Sequence, residues 1–273
     1  MPDAYALFGN PVAHSKSPWL HQSFAAQTGH ALTYRAIEAE ADTFGQEVAG
    51  FMRQGGAGAN VTAPFKLAAC ALADECRDRA ALAGAANCLK FEDGMIIADN
   101  FDGVGLTRDI EVNLGVPLRG RTVLLLGAGG AARGAIQPFL EAGPAHLMVA
   151  NRTLEEAAAL EATDPWRGRF VACALADLGS DSFDVVVNAT SASLFGELPE
   201  IPPQVFGNEC LAYDLVYGKG LTPFLSMARD SGACKIADGI GMLVEQAAEA
   251  FDWWRGVRPK TEQIIKQMSM PLV

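Results

Sequence analysis

Along the first hundred residues, short apolar runs alternate with longer stretches of helical character. The runs "AYALF" (4–8), "LTYRAI" (32–37) and "GANVT" (58–62) predict strands. "SPWLHQSFAAQ" (17–27), "DTFGQEVAGFMRQ" (42–54) and "PFKLAACALA" (64–73) predict the helices that follow them. Such alternation builds an open, mostly parallel sheet flanked by helices. "NCLKF" (87–91) and "MIIAD" (95–99) flank "EDG", where Asp-Gly supplies the positive φ angles of a tight turn. One antiparallel hairpin therefore interrupts the series.

A helix is expected from about Gly103 to Asn113, and the Gly- and Pro-rich "LGVPLRGR" (114–121) separates it from a second series. The runs "TVLLL" (122–126), "HLMVA" (146–150), "RFVACA" (169–174), "DVVVNA" (184–189) and "CLAYDLV" (210–216) are almost wholly apolar, as strands covered on both faces must be. From Ile240 onward, "GMLVEQAAEAFDWW" and "EQIIKQM" read as helices. This α/β pattern predicts two domains and a tail: residues 1–103, residues 104–239 and C-terminal helices over 240–273. No internal repeat or low-complexity segment is present.

Half of the 273 residues are hydrophobic, enough for a sizeable core. A net charge of -11 with no Lys/Arg-rich block would repel a phosphate backbone, so nucleic acid is excluded as a partner. The N-terminal residues have no basic segment followed by a long apolar core, and no apolar run approaches a membrane span, so a cytoplasmic protein is expected. Cys70, Cys76, Cys88, Cys173, Cys210 and Cys234 form no CxxC pair and read as reduced, mostly buried thiols. His14, His21, His30 and His146 lack ligand spacing, so no metal is expected.

"TVLLLGAGGAARGAI" carries the most informative local motif, a buried strand running into Gly127, Gly129 and Ala132 (G-x-G-x-x-A) and then into a helix. Glycines there permit a tight turn and close approach to a pyrophosphate, while the helix start offers unpaired N–H groups. At the end of the next strand "NRT" (151–153) has no acid to accept from a ribose 2′-hydroxyl. Arg152 could pair with a 2′-phosphate while Asn151 and Thr153 donate hydrogen bonds, so NADP is preferred over NAD. "TLEE" also reads as a capping box, and Glu155 and Glu156 bring negative charge close to the expected phosphate. On local evidence alone, Lys66 is a solvated charge in the first turn of a helix.

"GNPVAHSKSP", "GANVTAPFK", "NFDGVG", "GAGGAARG", "NRT", "NATS", "YDLVYGKGLTPF" and "ADGIGMLVEQA", in this order over essentially the whole chain, resemble the shikimate dehydrogenase family. The resemblance implies reversible NADPH-dependent reduction of 3-dehydroshikimate to shikimate. It also implies a substrate domain and a Rossmann-like NADP-binding domain, with the C-terminal helices returning to the first.

Carried over by position, Lys66 and Asp102 match the catalytic acid–base pair. Ser15, Ser17, Asn60, Thr62, Asn87, Tyr217 and Gln246 match substrate-binding positions. Gly127, Ala128, Gly129, Gly130 and Ala131 would cradle the pyrophosphate, with Thr190, Leu215, Gly239 and Met242 at the nicotinamide end. Ser17, before Pro18, is also a good helix cap, and Met242 also suits an ordinary core position.

Two departures matter. Phe101 stands where the family usually has a threonine, which would set a bulky ring beside the substrate and favours quinate or another cyclic hydroxy acid as an alternative. Glu156 stands where a second basic residue is common, which should weaken selectivity for NADP. A non-catalytic NADP-binding sensor is the third reading, and the chain is expected to be a monomer or a homodimer.

Overall fold

The computed structural model describes residues 2–272, so the outer ends of the expected segments, Met1 and Val273, lie outside it. In its first part β1 (Asp3–Gly9), α1 (Ser17–Thr28), β2 (Leu32–Glu38), α2 (Phe44–Arg53), β3 (Gly56–Val61) and α3 (Lys66–Leu72) alternate. Then come β4 (Glu75–Cys76), α4 (Asp78–Ala83) and the hairpin of β5 (Cys88–Glu92) and β6 (Met95–Asp99). These strands form one six-stranded sheet, ordered β2-β1-β3-β5-β6-β4. β1 pairs in parallel with β2 and β3, while β5 runs antiparallel to both β3 and β6. Asp93 and Gly94, at φ 52° and 79°, make the turn expected at "EDG".

α5 (Asp102–Arg108) continues as a π-helical turn over Asp109–Asn113 and leads to the second sheet. There β7 (Thr122–Leu126), α6 (Gly130–Ala142), β8 (His146–Asn151), α7 (Leu154–Glu161), β9 (Val171–Ala174), β10 (Phe183–Asn188) and β11 (Phe206–Asp214) follow in turn. α8 (Pro223–Asp230), β12 (Lys235–Asp238), α9 (Ile240–Arg255) and α10 (Glu262–Met268) complete the chain. All neighbours in the order β12-β11-β10-β7-β8-β9 are parallel. Val123, Leu125, Val185 and Val187 face one core cluster, and Leu124, Leu126 and Val186 face another. This explains the unbroken apolar runs: alternate side chains point to opposite faces, and both are covered.

α5 joins the two halves by close helix contacts. A Cβ at Gly103 would lie 2.1 Å from the Gly134 carbonyl oxygen on α6, a distance only a residue without a side chain permits. Leu20, Phe24 and Ala25 of α1 pack with Val244, Ala247, Ala248 and Phe251 of α9 and Ile264 of α10. No described helix is long and apolar enough to cross a membrane.

Candidate active site

Lys66 opens α3 just beyond the carboxyl end of β3, and Asp102 opens α5 just beyond β6. Their meeting follows from the sheet, because β5 pairs with both β3 and β6 and so brings their ends together. Lys66 Nζ donates to Asp102 Oδ2 at 2.6 Å, with 17% and 6% of the two side chains exposed. An ion pair so little exposed interacts more strongly than one in water.

Around Asp102 the carboxylate is held from several directions. Asn87 Nδ2 donates to Asp102 Oδ1 at 2.8 Å and to Gln246 Oε1 at 3.1 Å, and the Asp102 backbone N–H donates to Asn100 Oδ1. Asn87 Oδ1 in turn accepts from the Phe101 N–H. Asn87 thus uses both amide hydrogens to orient Asp102 and tie in α9. Asn60 lies next along this network: its Nδ2 donates to the Asn87 carbonyl at 3.3 Å, and its Oδ1 accepts from the Tyr34 hydroxyl at 2.8 Å. Burial raises Tyr34 well above the usual phenol range, with Ser17 acting the other way. Tyr34 went unnoticed in the sequence, where an aromatic residue in "LTYRAI" reads as packing alone.

Ser15 and Ser17 are adjacent, with their hydroxyls 3.2 Å apart. Ser17 is the first residue of α1 rather than its cap, which is Lys16 without a side-chain acceptor, and the Ser17 N–H donates to Ser15 Oγ at 3.2 Å. Thr62 packs beside Gly9. Tyr217 is half-buried, and burial pushes its hydroxyl up from the ordinary phenol value.

The glycine loop lies against this centre. Gly127, at φ 110°, adopts backbone that favours glycine and abuts Ala189 and Thr190. Gly129 caps α6 with no side-chain acceptor, so the first N–H groups of α6 remain for a ligand. A Cβ at Gly129 would meet nothing within 4 Å, whereas one at Gly130 would lie 3.4 Å from Lys66 Cβ. The cradle thus suits a pyrophosphate and abuts the lysine. Leu215 contacts Gly239, and Met242, 8% exposed, belongs to the core below them.

At the far end of the cradle, Asn151 Nδ2 donates to Glu156 Oε2 at 2.8 Å and to the Thr153 carbonyl. Thr153 precedes α7 without capping it through its side chain, so the expected capping box is not formed. Arg152 is exposed beside them.

Phe101 corrects an expectation. Its ring is 3% exposed and packs with Cys88, Ala250 and Trp253, under the Arg79 guanidinium at 5.0 Å from its centroid. The backbone at the start of α5 turns this side chain into the core while Asp102 turns toward Lys66. The Phe101 ring is packed in the core, and it gives no reason to favour a different ring acid.

A fully parallel second sheet, a glycine loop opening its first helix and a lysine–carboxylate pair beside that loop define a two-sheet α/β oxidoreductase of the Rossmann type. Residues 7–89 match the model of the shikimate dehydrogenase substrate binding domain. Residues 111–195 match shikimate / quinate 5-dehydrogenase, and residues 239–268 match the shikimate 5′-dehydrogenase C-terminal domain. The NADP(+)-dependent shikimate dehydrogenase of Nitrosospira multiformis is 53% identical over 100% of this chain and 99% of its own. The crystal structure of an Ael1 enzyme from Pseudomonas putida superposes with TM-score 0.94 at 56% identity, covering 99% of this chain and 100% of its own. Shikimate 5-dehydrogenase from Thermus thermophilus, solved with NADP(H) and shikimate, gives TM-score 0.85 at 32% identity and 97% coverage of both chains. The chain belongs to the shikimate dehydrogenase family.

Proposed function

We propose that this chain is a shikimate dehydrogenase that interconverts 3-dehydroshikimate and shikimate with NADPH and NADP+, with Lys66 and Asp102 as its acid–base pair. The single observation that carries the mechanism is the 2.6 Å Lys66–Asp102 pair placed against the glycine loop. NADPH, when bound, supplies the hydride that reduces the 3-keto carbon. Negative charge then develops on the carbonyl oxygen, and the Lys66 ammonium is the group to neutralise it and hand over a proton. In the oxidation direction the same nitrogen takes that proton back. Asp102 keeps the ammonium aimed and accepts from a neighbouring ring hydroxyl.

Ser15, Ser17 and Tyr217 bind the substrate carboxylate in this reading, and Asn60, Thr62, Asn87 and Gln246 surround the ring. Gly127 to Ala131 hold the pyrophosphate, Arg152 with Asn151 and Thr153 the 2′-phosphate, and Thr190, Leu215, Gly239 and Met242 the nicotinamide end. The division into a substrate domain (1–103), a nucleotide domain (104–239) and returning helices (240–273) belongs to the same proposal. All of these residues belong to one copy of the chain, and the protein is a monomer or a homodimer in this reading.

Initial rates with shikimate and quinate, each with NADP+ and NAD+, test the reading. We expect turnover with shikimate and NADP+, and only a modest loss with NAD+, because Asn151 is shared with Glu156, which stands where a second basic residue is common in the family. Greater activity with quinate, or a clear preference for NAD+, contradicts it. Tight NADPH binding without turnover of either alcohol indicates a sensor instead.

A further inference from the structure

Two thiols outside this site lie in contact, with Cys70 Sγ 3.1 Å from Cys76 Sγ. Both are free and half-buried. Cys70 lies one helical turn beyond Lys66 on α3. Cys76 lies on β4, paired with Ala98 of β6, the strand that leads to Asp102. We propose that Cys70 and Cys76 form a redox modification site, a dithiol that a low-molecular-weight disulfide converts into an intramolecular disulfide pinning the Lys66 helix to β4.

The sulfurs need to approach by only about 1 Å to reach bonding distance. In the reduced protein the Cys76 thiol donates to the Cys70 carbonyl and the Cys70 thiol to the Ala80 carbonyl, both long contacts to sulfur. Burial first, and then the hydrogen bond and charge of Cys76, push the Cys70 thiol up to about 12. Cys70 is therefore poorly suited to begin the exchange, and the first attack falls to Cys76.

The Cys76 thiolate attacks one sulfur of the small disulfide, whose S–S bond breaks as the other half leaves as a thiolate and takes up a proton. Cys76 is now held in a mixed disulfide, with its Sγ next to the Cys70 thiol. Cys70 then loses its proton, attacks Cys76 Sγ and expels the second small thiol. Two protein thiols are oxidised to one disulfide, and the small disulfide is reduced to two thiols. Lys66 and Asp102 lie outside the loop this closes, so the oxidised protein keeps its catalytic pair.

Incubation of the reduced full-length protein with glutathione disulfide, followed by tryptic mapping, tests this, because Leu67–Arg77 carries both cysteines. The peptide should lose two hydrogens and carry no glutathione, dithiothreitol should reverse the change, and the Cys70→Ser variant should stop with one glutathione on Cys76. Turnover should change by less than about twofold, and the unfolding midpoint of the bridged form should rise by about 5 °C. Folded wild type that stays a dithiol, or stops at a glutathione adduct, overturns the proposal. A bridged form that melts below the reduced one overturns the unstrained fit.

Discussion

Asp102 can aim Lys66 only because its own carboxylate is fixed, one oxygen by Asn87 and the other by the lysine. Asp102→Asn keeps the size and loses the charge, so turnover should fall by about a hundredfold in steady-state assays, with NADPH affinity unchanged. Near-wild-type turnover would remove Asp102 from the mechanism. Tyr34 acts at one remove, since its hydroxyl fixes which way the Asn60 amide points. Tyr34→Phe leaves a buried acceptor unsatisfied, at a cost of about 1–3 kcal/mol. The KM for shikimate should rise about tenfold while kcat holds; a fall in kcat alone would contradict a positioning role. At this scale the sequence pattern showed which polar residues stand out but not where side chains point. Phe101 and Asp102 are neighbours in the chain, yet one enters the core and the other the site. That direction depends on how the backbone leaves β6.

Between elements, the contact of α5 with α6 holds the Lys66–Asp102 pair close to the glycine loop. Gly103→Ala would drive a methyl group into the Gly134 carbonyl and force the helices apart. Overpacking of this kind costs about 1–3 kcal/mol, and calorimetry should show a lower midpoint together with reduced turnover. An unchanged midpoint would mean that the contact is loose.

His21 couples α1 to the first sheet. It is fully buried, stacks on Tyr34 with ring centroids 4.4 Å apart, and neither ring nitrogen has a hydrogen-bond partner. Burial lowers its pKa from 6.5 to about 3, so between these values the unfolded chain binds the proton and the folded one does not. The contribution is present above pH 6.5 and is lost toward pH 3, by at most about 1.4 kcal/mol per pH unit. Denaturant titrations from about pH 7 to about pH 4 should show wild type losing stability relative to His21→Phe; parallel curves would contradict a buried neutral imidazole. Most elements were legible because burial on both faces leaves unbroken apolar runs. β12 was not, since Lys235–Asp238 has only two apolar residues between charged ends and pairs along one edge alone.

On the scale of the whole molecule, the two series of strands and the helical tail were legible in the order of elements, and the ordered motifs pointed to the family. What no linear pattern carries is the convergence: α9, far beyond Asn87 in the chain, brings Gln246 to it, and α6 brings Gly130 to Lys66. Both depend on α5 packing closely between its neighbours. The molecule can therefore be read as a device for holding one ammonium beside a nucleotide loop. Shikimate oxidation with NADP+ by Lys66→Ala, with NADPH affinity measured in parallel, probes that role without an intermediary. Turnover should fall by about a thousandfold or more while nucleotide affinity is retained; turnover close to wild type would rule out Lys66 as the proton donor.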